Sequence, residues 1–170
     1  YYGEFIGREL VEMTRNIFPL SHKKEDTYLA GFSMGGYGAI RNGLKYHDTF
    51  GYIGAISAAL LTDDLHNWGE GDDLLSSKSF AQSCFGDLNK VIGSDMDPKF
   101  LIDDLIANDI EIPKIFMAVG DNDFLYNENI DYYNYLKSRN VDVEFRCSSG
   151  EHTWEFCNDY IKEFIEWLPL

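Results

Sequence analysis

The run Leu29-Ala30-Gly31-Phe32-Ser33-Met34-Gly35-Gly36-Tyr37-Gly38-Ala39 limits what this chain can fold into more than any other stretch. It contains Gly31-x-Ser33-x-Gly35, the pattern of a nucleophile elbow, a tight strand-to-helix turn that holds a serine hydroxyl clear of the backbone. The turn crowds its flanks, so the positions two before and two after the serine are expected to be small. Glycine also adopts backbone angles that other residues reach only at a steric cost. Five-residue patterns recur by chance, and the strand, turn and helix around the serine give this one its weight. Thr27-Tyr28-Leu29-Ala30 reads as a short strand behind a polar turn, Ser21 to Asp26. After the serine, Tyr37, Ile40 and Leu44 recur at helical spacing. A surface serine in a glycine-rich turn would need neither flank.

The rest of the chain alternates in the same way. Phe5, Ile6, Leu10, Met13 and Ile17 recur at three- and four-residue steps, which predicts a helix from Glu4 to Phe18 ended by Pro19. A strand near 27–31, the elbow and a helix near 34–46 follow. Residues 50–57 read as a second strand rich in small side chains. Residues 58–112 are acidic, broken by Gly and Pro, and carry only short apolar clusters such as Phe100-Leu101-Ile102. They read as an irregular, lid-like insertion with short helices. Lys114 to Val119 is a buried strand ended by Gly120, and 129–139 a helix with Ile130, Tyr133 and Leu136 on one side. Residues 141–147 alternate as a strand near a sheet edge would. Residues 153–168 form a last helix whose apolar stripe is Trp154, Tyr160, Ile161, Phe164, Ile165, Trp167 and Leu168. This order implies one α/β domain over 1–170, a mostly parallel sheet with helices on both faces.

Composition narrows the function classes. At 170 residues the chain is one domain and can bury a real core. A formal charge of −15 repels phosphate backbones, which argues against a nucleic-acid partner. No stretch approaches the ~20 apolar residues of a membrane helix. Cys84, Cys147 and Cys157 lack metal-type spacing and fit idle thiols in a reducing compartment, so a cytoplasmic location is expected. A Cys147–Cys157 disulfide has no positive support. The opening Tyr1-Tyr2-Gly3 has neither a starting Met nor a basic-then-apolar leader. The N-terminus is therefore read as missing, which keeps secretion open. An oligomer is compatible with all of this.

A nucleophilic serine needs a base, and the base an orienting acid. In open α/β sheets such partners sit at the carboxyl ends of successive strands. An acid is therefore expected just after 114–119, and a histidine just after 141–147. Gly120-Asp121-Asn122-Asp123-Phe124-Leu125 and Ser149-Gly150-Glu151-His152-Thr153-Trp154 supply them. His22 lies in the turn before the elbow strand, His47 at the end of the post-elbow helix, and His66 in the insertion. None of these fits as well as His152. Asp121 and Asp123 compete for the acid role, and spacing does not choose between them. The pair lacks the further ligands of a calcium loop, so no metal site is expected.

On these residues the chain resembles the esterase D-like branch of the α/β-hydrolases. That branch takes in tributyrin esterases, S-formylglutathione hydrolases, and the feruloyl and acetyl-xylan esterases of carbohydrate esterase family 1. The match is carried by the elbow Gly31 to Gly38, by Gly120 to Tyr126, by Gly150 to Trp154, and by Tyr1-Tyr2 with Glu9-Leu10 in the helix before the elbow strand. The resemblance implies that Asp123 is the acid. It also implies serine ester hydrolysis without metal or organic cofactor, on short acyl esters or acylated sugars. The oxyanion hole of this fold uses the N–H after the nucleophile, here Met34, and another from a loop after an earlier strand. Only one helix and one strand precede Ser33, so the chain reads as the C-terminal portion of a longer hydrolase that lacks the N-terminal strands. Loss of one oxyanion donor typically costs about 10²–10³ in turnover, so the isolated chain is expected to be a poor catalyst.

The leading reading is a serine carboxylesterase acting on short-chain acyl esters through Ser33, His152 and Asp123. The runner-up is an acetyl-xylan or feruloyl esterase on acylated plant polysaccharide, with Trp68, Tyr126 and Trp154 stacking on a sugar or phenolic acid. Such aromatics more often serve packing, and Trp154 is expected to do so. S-formylglutathione comes third, because the acidic chain offers no basic cluster for glutathione carboxylates. Transfer to an acyl acceptor other than water is also open. A non-catalytic α/β scaffold is the contrasting class, and it has no need of all three side chains together.

Overall fold

The computed structural model describes residues 2–69 and 77–170, with the His66 side chain outside the description. Tyr1, half of the Tyr1-Tyr2 match, and residues 70–76, in the expected insertion, also lie outside the described residues. Four strands build the sheet: β1 (Tyr28–Phe32), β2 (Tyr52–Ile56), β3 (Lys114–Gly120) and β4 (Val143–Ser148). They pair in parallel in the order β1-β2-β3-β4. β3 is buried from Ile115 to Gly120, as expected for an interior parallel strand covered on both faces. Among the described residues β1 pairs only with β2, so its other side is an open edge.

The pleat sends alternate residues to opposite layers. On one face Ile53 and Ala55 of β2 and Ile115 and Met117 of β3 pack against three helices. These are α2 (Met34–Lys45), α4 (Pro98–Ala107) and α5 (Tyr126–Ser138), which contribute Ile40, Leu44, Leu101, Ile102, Leu105 and Leu136. On the other face Ile56, Phe116 and Ala118 meet Phe156, Tyr160 and Phe164 of α6 (Trp154–Trp167). Each large side chain removed from water in this way contributes about 1.5–3 kcal/mol. A smaller cluster joins Leu65, Ala81, Leu88 and Val91 around α3 (Lys78–Phe85). Within 58–112, then, α4 belongs to the main core, and Leu65, Ala81, Leu88 and Val91 form a satellite.

Several details depart from the sequence reading. The first helix is α1 (Leu10–Ile17), preceded without a break by a π-helical Phe5–Glu9 and by Tyr2–Glu4. It stops one residue earlier than expected, because Phe18 is extended ahead of Pro19. Its apolar stripe is not core: Met13 and Ile17 are exposed, and Gly7 is the buried residue, against the Tyr46 ring. α5 begins at Tyr126 rather than 129, and its buried side is Asn129, Tyr132 and Leu136. β4 begins at Val143, because the Val141 N–H still closes the preceding turn onto Leu136. Trp154 is 70% exposed at the start of α6, so it does not pack in the core as expected; Phe156 does. Ile165, also placed on the stripe, is exposed.

α2, which leads away from Ser33, is tied to the end of the satellite segment. The Tyr37 hydroxyl donates to the Met96 carbonyl at 2.7 Å, and burial pushes that hydroxyl's pKa up. Arg41 donates to the Asp95 carbonyl at 2.8 Å and to its carboxylate at 2.7 Å, which Lys45 also reaches. A cleft of about 590 Å³ opens between α2, the β1 edge and this segment, with Leu29, Met34, Tyr37, Phe85 and Met96 on its walls.

Among the described residues no helix is long and apolar enough to cross a membrane. All three cysteines are free.

Candidate active site

Ser33 sits between β1 and α2 with φ 58° and ψ −120°, a backbone state that side-chain-bearing residues rarely adopt. Such strain persists only where the surroundings enforce it. Here the Ser33 N–H donates to the Ile56 carbonyl at 3.0 Å, and the Ser33 carbonyl accepts from Gly36, Tyr37 and Ala59. The two elbow glycines are not equivalent. A Cβ on Gly31 would lie 2.1 Å from the Gly35 carbonyl oxygen, whereas a Cβ on Gly35 would meet nothing within 4 Å. The need for a small side chain two residues before the serine is thus steric, and the expected need two residues after it has no steric counterpart among the described residues.

The acid loop after β3 and the histidine loop after β4 are stitched together. The Asp121 N–H donates to the Ser148 carbonyl at 2.9 Å and the Asn122 N–H to the Gly150 carbonyl at 2.9 Å. The two aspartates then separate by environment. Asp121 is exposed, and its Oδ1 accepts from the Gly150 N–H at 3.2 Å and from Asn122 at 2.7 Å. Asp123 is buried; it accepts from the Leu125 N–H at 2.8 Å and from His152 Nδ1 at 2.9 Å.

His152 Nε2 is 2.9 Å from Ser33 Oγ. A carboxylate is acceptor-only, so Nδ1 carries the proton toward Asp123, and Nε2 is left to accept from the serine hydroxyl. Serine, imidazole and carboxylate therefore form one continuous hydrogen-bonded chain at the carboxyl ends of β1, β3 and β4. This arrangement can remove a proton from Ser33 and hold it on His152 beside a buried negative charge. Met34 is the first residue of α2 and 43% exposed. Thr153 caps α6, accepting from the Phe156 N–H at 3.3 Å, which fixes the backbone one residue past His152.

The remaining candidates do not all gather here. Trp68 is half-buried against the satellite cluster. Tyr126 is half-buried at the start of α5, and its N–H donates to the Asp123 carbonyl at 3.0 Å. Trp154 lies 5.2 Å, centroid to centroid, from Phe32. Among the described residues no group of three or more His, Cys, Asp or Glu side chains is placed to hold a metal ion.

Sequence reasoning missed three residues. Asn129 is fully buried; its amide accepts from the Ala58 N–H and donates to the Ala58 and Leu125 carbonyls. It clamps the segment after β2 to the acid loop. Its signal was legible, since a polar residue at helical spacing with Tyr132 and Leu136 needs a buried partner. Phe32 and Phe124 lie against His152, each with its ring centroid at 4.6 Å. Nothing in the one-dimensional pattern marks that contact.

The chain is similar to known proteins in sequence and in fold. The family described as "Putative esterase" matches residues 1–168. An acetyl esterase from Caldicellulosiruptor saccharolyticus is 44% identical over 169 residues, 99% of this chain and 64% of that protein. Among solved structures, the Staphylococcus aureus fluorophosphonate-binding serine hydrolase FphF superposes with a TM-score of 0.84 at 35% identity, covering 99% of this chain and 63% of that one. The S. aureus S-formylglutathione hydrolase FrmB superposes with a TM-score of 0.79 at 35% identity, over 94% and 61% of the two chains. The chain thus spans slightly under two-thirds of the length of these relatives. Parallel sheet, serine elbow and matched family together make this chain a member of that esterase family, in the esterase D-like branch of the α/β-hydrolases.

Proposed function

We propose that the protein is a serine carboxylesterase hydrolysing short-chain acyl esters, with Ser33 as nucleophile, His152 as general base and Asp123 as the acid that orients it. The observation that carries this reading is the pair of 2.9 Å contacts, Ser33 Oγ to His152 Nε2 and His152 Nδ1 to Asp123. The likeness to an acetyl esterase supports it.

His152 Nε2 takes the hydroxyl proton as Ser33 Oγ forms a bond to the ester carbonyl carbon. The carbonyl oxygen becomes an oxyanion, held by the Met34 N–H in the first turn of α2, where the helix dipole favours negative charge. Collapse breaks the bond to the alcohol oxygen, which leaves with the proton from Nε2. Water then adds to the acyl-serine by the same route, with His152 again taking and returning the proton, and the carboxylic acid is released. Asp123, with no exposed side-chain surface, stabilises the imidazolium in both halves. A scaffold without catalysis would have no use for the strained backbone at Ser33.

A second reading, an ester of a sugar or phenolic acid, is favoured by one observation. Trp154 stands 70% exposed beside Phe32, where a sugar or phenolic ring could stack. Phe85 and Met96, from the expected insertion, stand at one wall of the cleft beside Met34, where a lid would act.

The test is hydrolysis of p-nitrophenyl acetate and butyrate beside acetylated xylan and methyl ferulate. Higher kcat/KM on the short-chain esters, abolished by Ser33→Ala, is the expected result. Undiminished rate in Ser33→Ala would overturn the assignment.

A further inference from the structure

Phe124 is a large apolar side chain with 74% of its surface exposed, and it belongs to none of the three apolar clusters. Hydrophobic burial does not explain its placement. Its ring centroid lies 4.6 Å from that of His152, at an interplanar angle of 48°. Phe32 stacks on the same imidazole, also at 4.6 Å, at 27°. The two nitrogens of that imidazole are already engaged, Nδ1 by Asp123 and Nε2 by Ser33. The hydrogen bonds fix where the nitrogens point, and the phenyl rings restrict tilting out of that plane. Each phenyl is the sequence neighbour of a residue bonded to His152, Phe32 before Ser33 and Phe124 after Asp123.

We propose that Phe124, together with Phe32, is a positioning residue that clamps the His152 ring and stabilises it once it carries the proton from Ser33. This rests on the reading of Ser33, His152 and Asp123 as the reacting set. An aromatic face attracts a cation through its quadrupole, and that attraction exists only while the imidazole is protonated. That state is the one formed as Ser33 attacks. The contact therefore lowers the barrier to acylation and leaves binding of the neutral ester unchanged. An aliphatic side chain of similar size would fill the space without the quadrupole. A larger aromatic would keep it.

The experiment compares Phe124→Leu, Phe124→Trp and Ser33→Ala with the unaltered protein, using p-nitrophenyl acetate turnover and the rate of inactivation by a fluorophosphonate. Phe124→Leu is expected to lower kcat and the inactivation rate about three- to tenfold, the range one aromatic face over a cation supports. KM and the melting temperature are expected to stay near those of the unaltered protein. Phe124→Trp is expected to restore most of the loss. Unchanged kcat in Phe124→Leu, a change confined to KM, or failure of Phe124→Trp to rescue would each overturn the clamp. Full activity in Ser33→Ala would instead overturn the reacting set itself, so the two failures are separable.

Discussion

Gly120 and Gly150 pass so close that a Cβ on Gly120 would lie 2.3 Å from the Gly150 carbonyl oxygen. This crossing of the β3 and β4 loops brings Asp123 and His152 together. Gly120→Ala must push the loops apart, and overpacking of this kind costs about 1–3 kcal/mol. Esterase activity is expected to fall with stability, because the carboxylate moves with its loop. Gly35→Ala is the control: its Cβ meets open space, and alanine favours a helix by about 0.5–1 kcal/mol over glycine. Urea denaturation of both variants checks the contrast.

Asp121 and Asp123 are expected to differ in kind. Asp123→Asn keeps the shape but loses the charge facing Nδ1 and favours the wrong imidazole tautomer. In serine proteases the equivalent change costs about 10⁴-fold in kcat, and a loss of about 10³–10⁴ is expected here. Asp121→Ala removes an exposed contact to the Gly150 N–H, which water replaces, so the cost is about 1 kcal/mol or less in stability. Steady-state turnover of both variants on one ester decides between the two carboxylates.

Asn129→Leu removes the partner of three buried backbone groups, the Ala58 N–H and the Ala58 and Leu125 carbonyls. Buried groups left unpaired cost about 1–3 kcal/mol each. A loss of about 3 kcal/mol or more is expected in denaturant titration, with reduced activity because both clamped segments flank Ser33 and Asp123.

Asp95 links the satellite segment to α2, and its pKa is lowered. Burial alone would raise it, but the Lys45 and Arg41 contacts outweigh that. A carboxyl whose folded pKa is depressed adds stability above its ordinary value of 3.8, and this is lost as pH falls through the lowered value. Asp95→Asn is therefore expected to lower the melting temperature at pH 7, and the gap to the unaltered protein is expected to close in strong acid. Melting curves at neutral pH and near pH 2–3 check the sign.

The parallel sheet was legible in the sequence because its signals are local. Gly31-x-Ser33-x-Gly35, the apolar run Ile115 to Val119 and the alternation in β4 each specify an element without help from distant residues. The expectation of partners at the carboxyl ends of successive strands singles out His152 and the 121–123 loop to go with Ser33. Spacing leaves Asp121 and Asp123 open; the family resemblance implies Asp123, and it is the buried one of the two. Trp154 departs from its expected core packing for a related reason. Its position at the start of α6 puts it ahead of the buried stripe, which begins at Phe156. Periodicity likewise identified the first helix but not its environment, since Met13 and Ile17 carry an apolar pattern and stay exposed. The contacts of Phe32 and Phe124 with His152 join the end of β1 to the loops after β3 and β4, and leave no trace in any one of these segments.

The most direct measurement is covalent labelling of the protein with a fluorophosphonate, followed by mapping of the adduct by mass spectrometry. One adduct is expected, on Ser33, formed much more slowly in His152→Ala. An adduct on another residue, or labelling of Ser33 at an undiminished rate in His152→Ala, would contradict it.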